Sequence, residues 1–344
     1  MIEHLVGLQA QTPSDPYLAL AARIEGFVPD ELGRLIADRG AVRLALMRST
    51  IHLVTDRDSL ALRSVLQPAM ERGFRTGGPF GRALAGVDLA EVTAVGRSIV
   101  EARPRTNREL GQALRERWPD RDAIALGYAV RAFAPLVQVP PRGIWGRSGQ
   151  TRLTTAEHWL GRPLDPDPTP DRMIERYLEA FGPASVPDVQ AWSGLTGLRE
   201  AMERLRPRLR TFRAERGTEL FDVPHGLLPG PEIPAPPRFL PVYDNVLLGH
   251  ADRTRIVSPA AKAFIMGENG FLATFLVDGF VAGTWRLDRR ADPPVLELAA
   301  LAALDDGDRE ELVAEGRRLA AFVLGWDAVG DAGQALEIQF VKTR

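Results

Sequence analysis

The spacing of apolar and polar positions changes several times between residues 106 and 155, and each change marks a new element. Residues 106–109, TNRE, have the form of a capping box, so a helix is predicted to begin there. Asp120 can cap a second helix over residues 121–133. LVQV then predicts a strand, PPRGIWGRSGQ a loop and TRLTT a returning strand. Helix, turn, helix, strand, loop, strand is the order of elements in a winged helix.

The same order recurs on both sides of this stretch. DELGRLIADR matches RELGQALRER, and the strand-like run RLALMRSTIHLV follows the first of these two segments. Downstream, two helices precede the basic strand RLRTFRAE and the strand TELFDV. Three consecutive copies of one unit predict an array of winged helices. The predicted units are 1–76, 87–160 and 170–223, with linkers at 77–86 and 160–170.

The last third of the chain has a different pattern. A Pro-rich connector at 223–241 is followed by the short apolar runs FLATFLV, FVAGTWRL and VLELAAL. These runs and the Asp-Gly turn at 278–279 predict an antiparallel sheet, and a helix is predicted over residues 306–324. The fold class is therefore α+β, with three tandem winged helices followed by an antiparallel β-rich module at 238–344.

Composition narrows the class of protein. The chain has 344 residues, of which 45% are hydrophobic, enough for several packed cores. It contains no cysteine, which excludes disulfides, thiolate metal sites and cysteine nucleophiles. No stretch approaches the ~20 consecutive apolar residues of a membrane span, and MIEHLVGLQAQ lacks the features of a signal peptide. A soluble cytoplasmic protein without a membrane partner is expected.

Positive charge is concentrated in two parts of the chain. The formal net charge is −2, which argues against a broadly basic nucleic-acid binder. Residues 103–152, however, contain ten arginines against four acids, and six more arginines fall within residues 204–216. A chain that is neutral overall but carries basic faces can bind a polyanion.

The middle unit carries its polar chemistry in the wing and not in the second helix. That helix has Arg131 as its one long polar side chain, so base reading by this helix is not expected. The wing combines cations with an aromatic ring, which suits phosphate or groove contacts, although a solvated charged loop explains the same residues equally well. The candidate DNA-binding residues of the wing are Arg142, Trp145, Arg147 and Arg152.

No metal or cofactor site is indicated. The histidines fall singly, without the spacing of metal ligands, and no Gly-rich phosphate-binding loop follows a predicted strand. The adjacent carboxylates Asp305 and Asp306 are better explained as a helix cap. No cofactor and no metal are therefore expected.

Two glutamines near the N-terminus form another candidate site. GLQAQTPSDP places Gln9 and Gln11 at alternate positions, and residues two apart in an extended segment point to the same side. Both carboxamides can then converge on one small molecule, each offering a donor and an acceptor. Thr12, Ser14 or Asp15 would cap the helix that follows. Spacing alone favours the alternative, in which two polar residues end a strand or a helix on the surface.

Four runs of the sequence together resemble one family. They are, in chain order, VGLQAQTPSDPYLALAARI, LMRSTIHLVTDRD, RFLPVYDNVLLGHADRTRIV and LVDGFVAGTWRL. On these runs the chain resembles the AlkZ/YcaQ-like winged-helix DNA glycosylases, which remove bulky alkylated bases and unhook interstrand crosslinks. Residues 9–11 match the catalytic Gln-Φ-Gln motif of that family, where Φ is aliphatic. This form is typical of a branch that protects antibiotic producers, and the YcaQ-type branch has Gln-Φ-Asp instead.

The resemblance implies a monomeric protein in which three tandem winged helices line a concave, C-shaped channel. Its partner would be double-stranded DNA containing alkylated purines. Alkylation at N7 of guanine or N3 of adenine makes the base cationic and a good leaving group, so uncharged amides can suffice. Gln11 is expected to position the water and Gln9 to support the water and the sugar. Because no amine nucleophile accompanies them, base release without strand cleavage is expected.

Two features depart from the family pattern. A further helix usually precedes the motif, whereas only eight residues precede Gln9. The first unit is therefore expected to be incomplete at its N-terminus, or to begin upstream of Met1. The Φ position is Ala10 and not a larger aliphatic residue, so the packing behind the glutamines is expected to differ.

Further DNA contacts are expected from two other runs. Arg48 and His52 fall on one predicted strand and would face the same side, beside the glutamines. In DNVLLGHADR, His250 and Arg253 are candidates for phosphate contacts, although a structural turn capped by Asp244 fits that run at least as well.

Two other functions remain open at the level of sequence. A winged-helix transcription regulator without catalysis would bind undamaged DNA tightly and in a sequence-dependent manner. The apolar second helix and the array within one chain disfavour this alternative. A catalytically inactive shield would bind alkylated DNA and release no base.

Overall fold

Helices alternate with short strands along the computed structural model, which describes residues 1–76, 78–267, 270–325 and 335–341. Gly77 of the predicted first linker lies outside the described residues, as do parts of the predicted C-terminal module. The helices are α1 (Asp15–Ala21), α2 (Pro29–Ala37), α3 (Asp56–Thr76), α4 (Pro79–Ala83), α5 (Leu89–Ala102), α6 (Asn107–Arg115), α7 (Ala123–Phe133), α8 (Ala156–Leu160), α9 (Asp171–Phe181), α10 (Val186–Ser193), α11 (Arg199–Leu205), α12 (Asn245–Leu248), α13 (Pro259–Phe264) and α14 (Asp306–Leu324).

The strands are mostly short, between two and nine residues. They are β1 (Leu8–Gln9), β2 (Ala41–Ala45), β3 (Ile51–Thr55), β4 (Leu136–Gln138), β5 (Leu153–Thr155), β6 (Arg210–Arg213), β7 (Glu219–Asp222), β8 (Arg238–Leu240), β9 (Met266–Gly267), β10 (Gly270–Phe271), β11 (Thr274–Val277), β12 (Phe280–Asp288), β13 (Val295–Ala300) and β14 (Glu337–Val341).

The chain divides into two compact units. The larger unit comprises Met1–Ser14 and Pro29–Leu227, and the smaller comprises Asp15–Val28 and Leu228–Arg344. The segment that contains α1, which sequence reasoning placed inside the first winged helix, is thus grouped with the C-terminal module.

A five-stranded antiparallel sheet organises the larger unit, in the order β1-β3-β2-β4-β5. Strand β4 of the second predicted unit pairs with β2 of the first, with Arg43 opposite Gln138 and Leu44 opposite Val137. The first and second predicted units therefore share one sheet, and the division into three winged helices stays a prediction.

The elements predicted for the middle unit are present in the predicted order. The capping box is confirmed: the Thr106 hydroxyl accepts from the Glu109 amide at 3.2 Å, and the Glu109 carboxylate accepts from the Thr106 amide at 2.7 Å. The cap of α7 is Asp122 and not Asp120, since the Asp122 carboxylate accepts from the Ala125 amide at 2.6 Å. Strands β4 and β5 flank the predicted loop.

The predicted first linker is partly wrong, because α4 forms within it. The ring of Phe80 on α4 stacks on Tyr128 with centroids 4.3 Å apart, which gives this segment a packing partner. In the predicted third unit, α9, α10 and α11 precede the hairpin β6–β7, whose strands were predicted.

The smaller unit has a second five-stranded sheet, in the order β14-β13-β12-β11-β8. The predicted Asp-Gly hairpin is confirmed between β11 and β12, with φ of 47° at Asp278 and 77° at Gly279. The prediction of a wholly antiparallel sheet is wrong at its edge, because β14 pairs with β13 in parallel after α14 crosses over. Helix α14 has the predicted bounds and the predicted cap, Asp305.

Candidate active site

Gln9, Ala10 and Gln11 lie where strand β1 leaves the edge of the sheet in the larger unit. Gln9 is opposite His52 in the antiparallel pairing of β1 with β3. The amide of Ala10 continues the pairing, donating to the carbonyl of Ile51 at 2.8 Å. The extended backbone expected for the motif is therefore present up to Ala10.

The backbone at Ala10 is held on its other side by a buried arginine. The Arg43 guanidinium donates to the Ala10 carbonyl at 2.7 Å, and both residues are buried. Gly7 precedes the motif with φ of 97°, and a Cβ there would lie 2.5 Å from Cγ1 of Val54. Glycine is thus required for β1 to lie against β3. Sequence reasoning missed Arg43; its only signal was a charged residue within an apolar strand.

The Gln9 side chain is 6% exposed and its oxygen is engaged by two donors. Its Oε1 accepts from the Thr50 hydroxyl at 3.2 Å and from Nη2 of Arg48 at 3.3 Å. A carboxamide oxygen has two lone pairs, so these two contacts use its acceptor capacity.

The Gln11 side chain is exposed and sits beside that of Gln9. Its Oε1 accepts from the backbone amide of Ile51 at 3.3 Å. Because Thr50 and Ile51 are consecutive, both carboxamide oxygens accept hydrogen bonds from the same two-residue segment. The structure therefore brings the two glutamines together, with one buried and the other open to solvent.

Arg48 lies in the turn that joins β2 to β3. The expectation that Arg48 and His52 share one strand is wrong, because RLALMRSTIHLV folds as a hairpin. Arg48 and Ser49 have φ of 55° and 60°, in the left-handed region that non-glycine residues rarely occupy. Each such residue costs about 1–3 kcal/mol and persists only where surrounding contacts impose it.

Contacts from the end of α10 impose this turn. The Arg48 guanidinium donates to the carbonyl of Trp192, in the last turn of α10. Gly194, which caps that helix with φ of 81°, lies so close that a Cβ would be 3.0 Å from both the N and the Cα of Arg48. The turn that contains Arg48, beside Gln9, therefore packs against the C-terminal end of α10.

His52 is 1% exposed, so its ring is enclosed, and its contact with DNA stays a prediction. Its Nδ1 lies 3.0 Å from the Thr50 carbonyl, which can only accept, so Nδ1 carries the proton. Burial, reinforced by the charge of Arg48, lowers the pKa of His52 to about 3. This imidazole is neutral at physiological pH.

The predicted wing is the loop between β4 and β5, and its residues differ in accessibility. Arg147 is exposed, whereas Trp145 and Arg142 are half-buried. The Arg142 guanidinium donates to the Gly149 carbonyl within the loop at 3.3 Å.

Arg152, at the end of the loop, forms an ion pair with Glu109 of the α6 capping box. Its guanidinium donates to both carboxylate oxygens of Glu109, at 2.9 and 3.1 Å, and to the Pro104 carbonyl at 3.2 Å. The backbone amide of Thr106, together with Arg152, lowers the pKa of Glu109 to about 2. A role for Arg152 in DNA binding would compete with the capping box of α6.

The wing loop also packs near the glutamine motif. Gly143, with φ of 100°, lies against Arg43: a Cβ there would be 2.7 Å from Cδ and 2.8 Å from Nη1. This is the arginine that holds the Ala10 carbonyl. The loop that carries Trp145 and Arg147 thus rests on the side chain that fixes the motif.

The second arginine cluster is largely neutralised. Four of its six arginines form ion pairs, which reduces the positive charge that the sequence suggested for this face. The pairs are Arg204–Asp171, Arg206 with Glu203 and Glu219, Arg208–Glu175, and Arg210–Asp222.

In the smaller unit, the run from 244 to 253 is mainly structural. Asp244 caps α12 and forms an ion pair with Arg23 at 2.6 Å, which confirms the capping alternative. His250 is 6% exposed, and its contact with phosphate stays a prediction. The Arg253 guanidinium lies 5.8 Å from the ring centroid of Phe271, and burial lowers its pKa.

The part of the chain that the structure describes lacks two kinds of feature. Among those residues, no group of three or more His, Asp or Glu side chains could hold a metal ion. No described helix combines the length and hydropathy needed to cross a bilayer.

The chain is similar to known proteins over most of its length. The family described as "DNA glycosylase AlkZ-like" matches residues 2–322. An "Interstrand DNA cross-link repair glycosylase" of Streptomyces sahachiroi is 24% identical over 317 residues, 83% of this chain and 81% of that protein. The solved structure of "Streptomyces sahachiroi DNA glycosylase AlkZ" superposes with a TM-score of 0.79 at 18% identity, covering 99% of this chain and 92% of the other. That likeness supports the mixed α+β fold, and the matches do not favour a transcription regulator.

Proposed function

The chain belongs to the AlkZ-like DNA glycosylase family, and we propose that it releases cationic N7-alkylguanine and N3-alkyladenine from duplex DNA without cleaving the strand. It is an enzyme that hydrolyses N-glycosyl bonds. Bulky adducts and interstrand crosslinks are included in the proposed substrates, in keeping with the name of the Streptomyces relative. The observation that carries the proposal is the pair of carboxamides held side by side at Thr50 and Ile51.

The chemistry needs little from the protein because the leaving group is already cationic. The bond between C1′ and the purine nitrogen breaks with its electron pair moving onto the base, which departs neutral. The sugar passes through an oxocarbenium-like state, as in other glycosyl transfers. Water then forms a bond to C1′ and its proton passes to solvent, so the protein has only to place the water and favour the developing charge.

Gln11 is proposed to position the water. One lone pair of its Oε1 accepts from the Ile51 amide, and the second remains to accept a hydrogen from water. Its exposure makes that site open to solvent. The donors named for the two glutamines are a hydroxyl, a guanidinium and a backbone amide, none of which forms a Schiff base with the sugar.

Substitution of Gln11 tests this role. In single-turnover assays on a duplex with one N7-methylguanine, Gln11→Ala is expected to slow base release at least ~tenfold, since positioning of one reactant commonly contributes that much. Gln112→Ala, an exposed glutamine on α6, is the matched control and is expected to keep the parent rate. If Gln11→Ala released N7-methylguanine at the parent rate, the water-positioning role of Gln11 would be refuted. If the parent enzyme released unmodified guanine, the proposal that it selects bases by their quality as leaving groups would be refuted.

A further inference from the structure

The guanidinium of Arg48 bridges the side chain of Gln9 and the end of α10. Nη2 donates to Oε1 of Gln9 at 3.3 Å, and Nη1 donates to the carbonyl of Trp192. The last carbonyls of a helix lack partners within the helix and lie at the negative end of its dipole. A guanidinium at this end is therefore stabilised in place, which makes it a fixed donor toward Gln9.

A fixed donor decides which way the Gln9 carboxamide faces. The amide can be turned so that either its oxygen or its NH₂ group meets its neighbours, and the two differ only in hydrogen bonding. The Thr50 hydroxyl has one proton and lies 3.0 Å from the Met47 carbonyl as well as 3.2 Å from Gln9. A hydroxyl can donate or accept, so Thr50 tolerates either orientation. Arg48 can only donate, so it excludes the orientation with NH₂ inward.

We propose that Arg48 is a positioning residue for Gln9, reassigned from the DNA contact that the sequence suggested. It holds the Gln9 oxygen inward, so that Gln9 offers amide hydrogens to the reaction while Gln11 offers a lone pair. One donor and one acceptor hold a water molecule through one of its lone pairs and one of its hydrogens, which leaves its second lone pair to attack C1′. This inference rests on the proposed function of the Gln-Ala-Gln motif.

The backbone around Arg48 supports this assignment. Its left-handed φ of 55° and the close approach of Gly194 leave the residue little freedom to turn toward a duplex. The Arg48 side chain is half-buried, between the motif and α10.

A double-mutant cycle tests whether Arg48 acts through Gln9. Arg48→Met, Gln9→Ala and the double variant are compared by single-turnover release of N7-methylguanine, and duplex affinity is measured by anisotropy at two salt concentrations. Arg48→Met is expected to slow release about tenfold in the parent and to have no further effect in Gln9→Ala. Affinity and its salt dependence are expected to stay unchanged.

Arg39→Met is the matched control. Arg39 also has a left-handed φ, 65°, and also donates to a tryptophan carbonyl, that of Trp159 at 2.8 Å. It lies in the turn between α2 and β2 and is expected to keep the parent rate. If Arg48→Met does not fold, Arg48→Lys replaces it in the same cycle, with a smaller loss expected.

Three results of the double-mutant cycle and the affinity measurements would contradict different parts of the proposal. Equal losses from Arg48→Met in both backgrounds would overturn the positioning role. Weaker binding with a shallower salt dependence would assign Arg48 to a phosphate and also overturn it. Parent-rate release by Gln9→Ala would refute the proposed role of the motif itself, a result separate from the other two.

Discussion

Gln9 lies directly opposite His52 in the pairing of β1 with β3. Residues opposite each other in antiparallel strands project from the same face, so the buried imidazole is the cross-strand neighbour of the buried carboxamide. Its pKa of about 3 keeps the imidazole neutral over the whole physiological range. The titratable side chain next to the motif is therefore not a source of pH dependence near neutrality.

The rate of base release is expected to be flat between about pH 5 and about pH 8, because the carboxamides do not titrate and His52 is already neutral. Single-turnover rates on an N7-methylguanine duplex, corrected for spontaneous depurination, provide the measurement. A rate that changed with an apparent pKa near 6.5 would show that an ionised imidazole takes part.

Protein stability, in contrast, is expected to depend on pH through His52. Its folded pKa lies below the unfolded value of 6.5, so the unfolded chain binds a proton that the folded chain does not. The contribution of His52 leaves the free energy of unfolding at its highest above about pH 6.5 and lowers it as the pH decreases toward 3. At pH 5 the loss relative to neutral pH is about 2 kcal/mol. Urea unfolding of the parent and His52→Asn at pH 7 and pH 5 measures this; the variant should lose less stability between the two values.

Replacement of the exposed His4 by Asn is the control for that comparison, since it should leave the difference between pH 7 and pH 5 unchanged. An equal pH dependence in the parent and in His52→Asn would contradict the burial of a neutral ring.

Gly194→Ala is expected to lower both stability and rate. A Cβ at this left-handed position would lie 3.0 Å from the Arg48 backbone and push the turn away from Gln9. Gly197 is a matched control, with φ of 74° and no atom within 4 Å of an added Cβ. Both variants should lose about 1 kcal/mol from backbone strain, but only Gly194→Ala should also lose rate. Thermal unfolding and single-turnover assays on both variants separate the two effects.

Gln9→Glu is expected to be nearly as slow as Gln9→Ala. A carboxylate satisfies the Arg48 guanidinium but replaces the amide hydrogens of Gln9 with an acceptor. Gln11→Glu retains an acceptor where one is needed and should keep much more of the rate. The two variants are compared at equal, saturating enzyme; a fast Gln9→Glu and a slow Gln11→Glu would reverse the donor and acceptor roles.

Local signals in the sequence predicted several elements with accuracy. The capping box at Thr106, the helix α14 and the hairpin at Asp278 depend on nearby hydrogen bonds and on backbone preference, which a short segment specifies by itself. The two-residue period of an extended chain predicted Gln9 and Gln11 side by side, and their oxygens contact the consecutive residues Thr50 and Ile51 although β1 ends at Gln9.

Features imposed by distant contacts were not predictable in the same way. The turn at Arg48 contains neither glycine nor proline, and contacts with Trp192 and Gly194 impose its left-handed backbone. The same holds for Arg43, whose role depends on the Ala10 carbonyl, and for the burial of His52. A pattern of apolar residues shows that a strand is buried but not which neighbours cover it.

The most direct measurement compares two duplexes that are identical except at one base, which is the cationic N7-methylguanine in the first and the neutral hypoxanthine in the second. If uncharged carboxamides suffice because the leaving group is cationic, the enzyme should release N7-methylguanine and should release hypoxanthine at least about a thousandfold more slowly, a barrier difference of ~4 kcal/mol. Release of hypoxanthine at a comparable rate would contradict the account, since a neutral base needs an acid that this pair of glutamines does not supply.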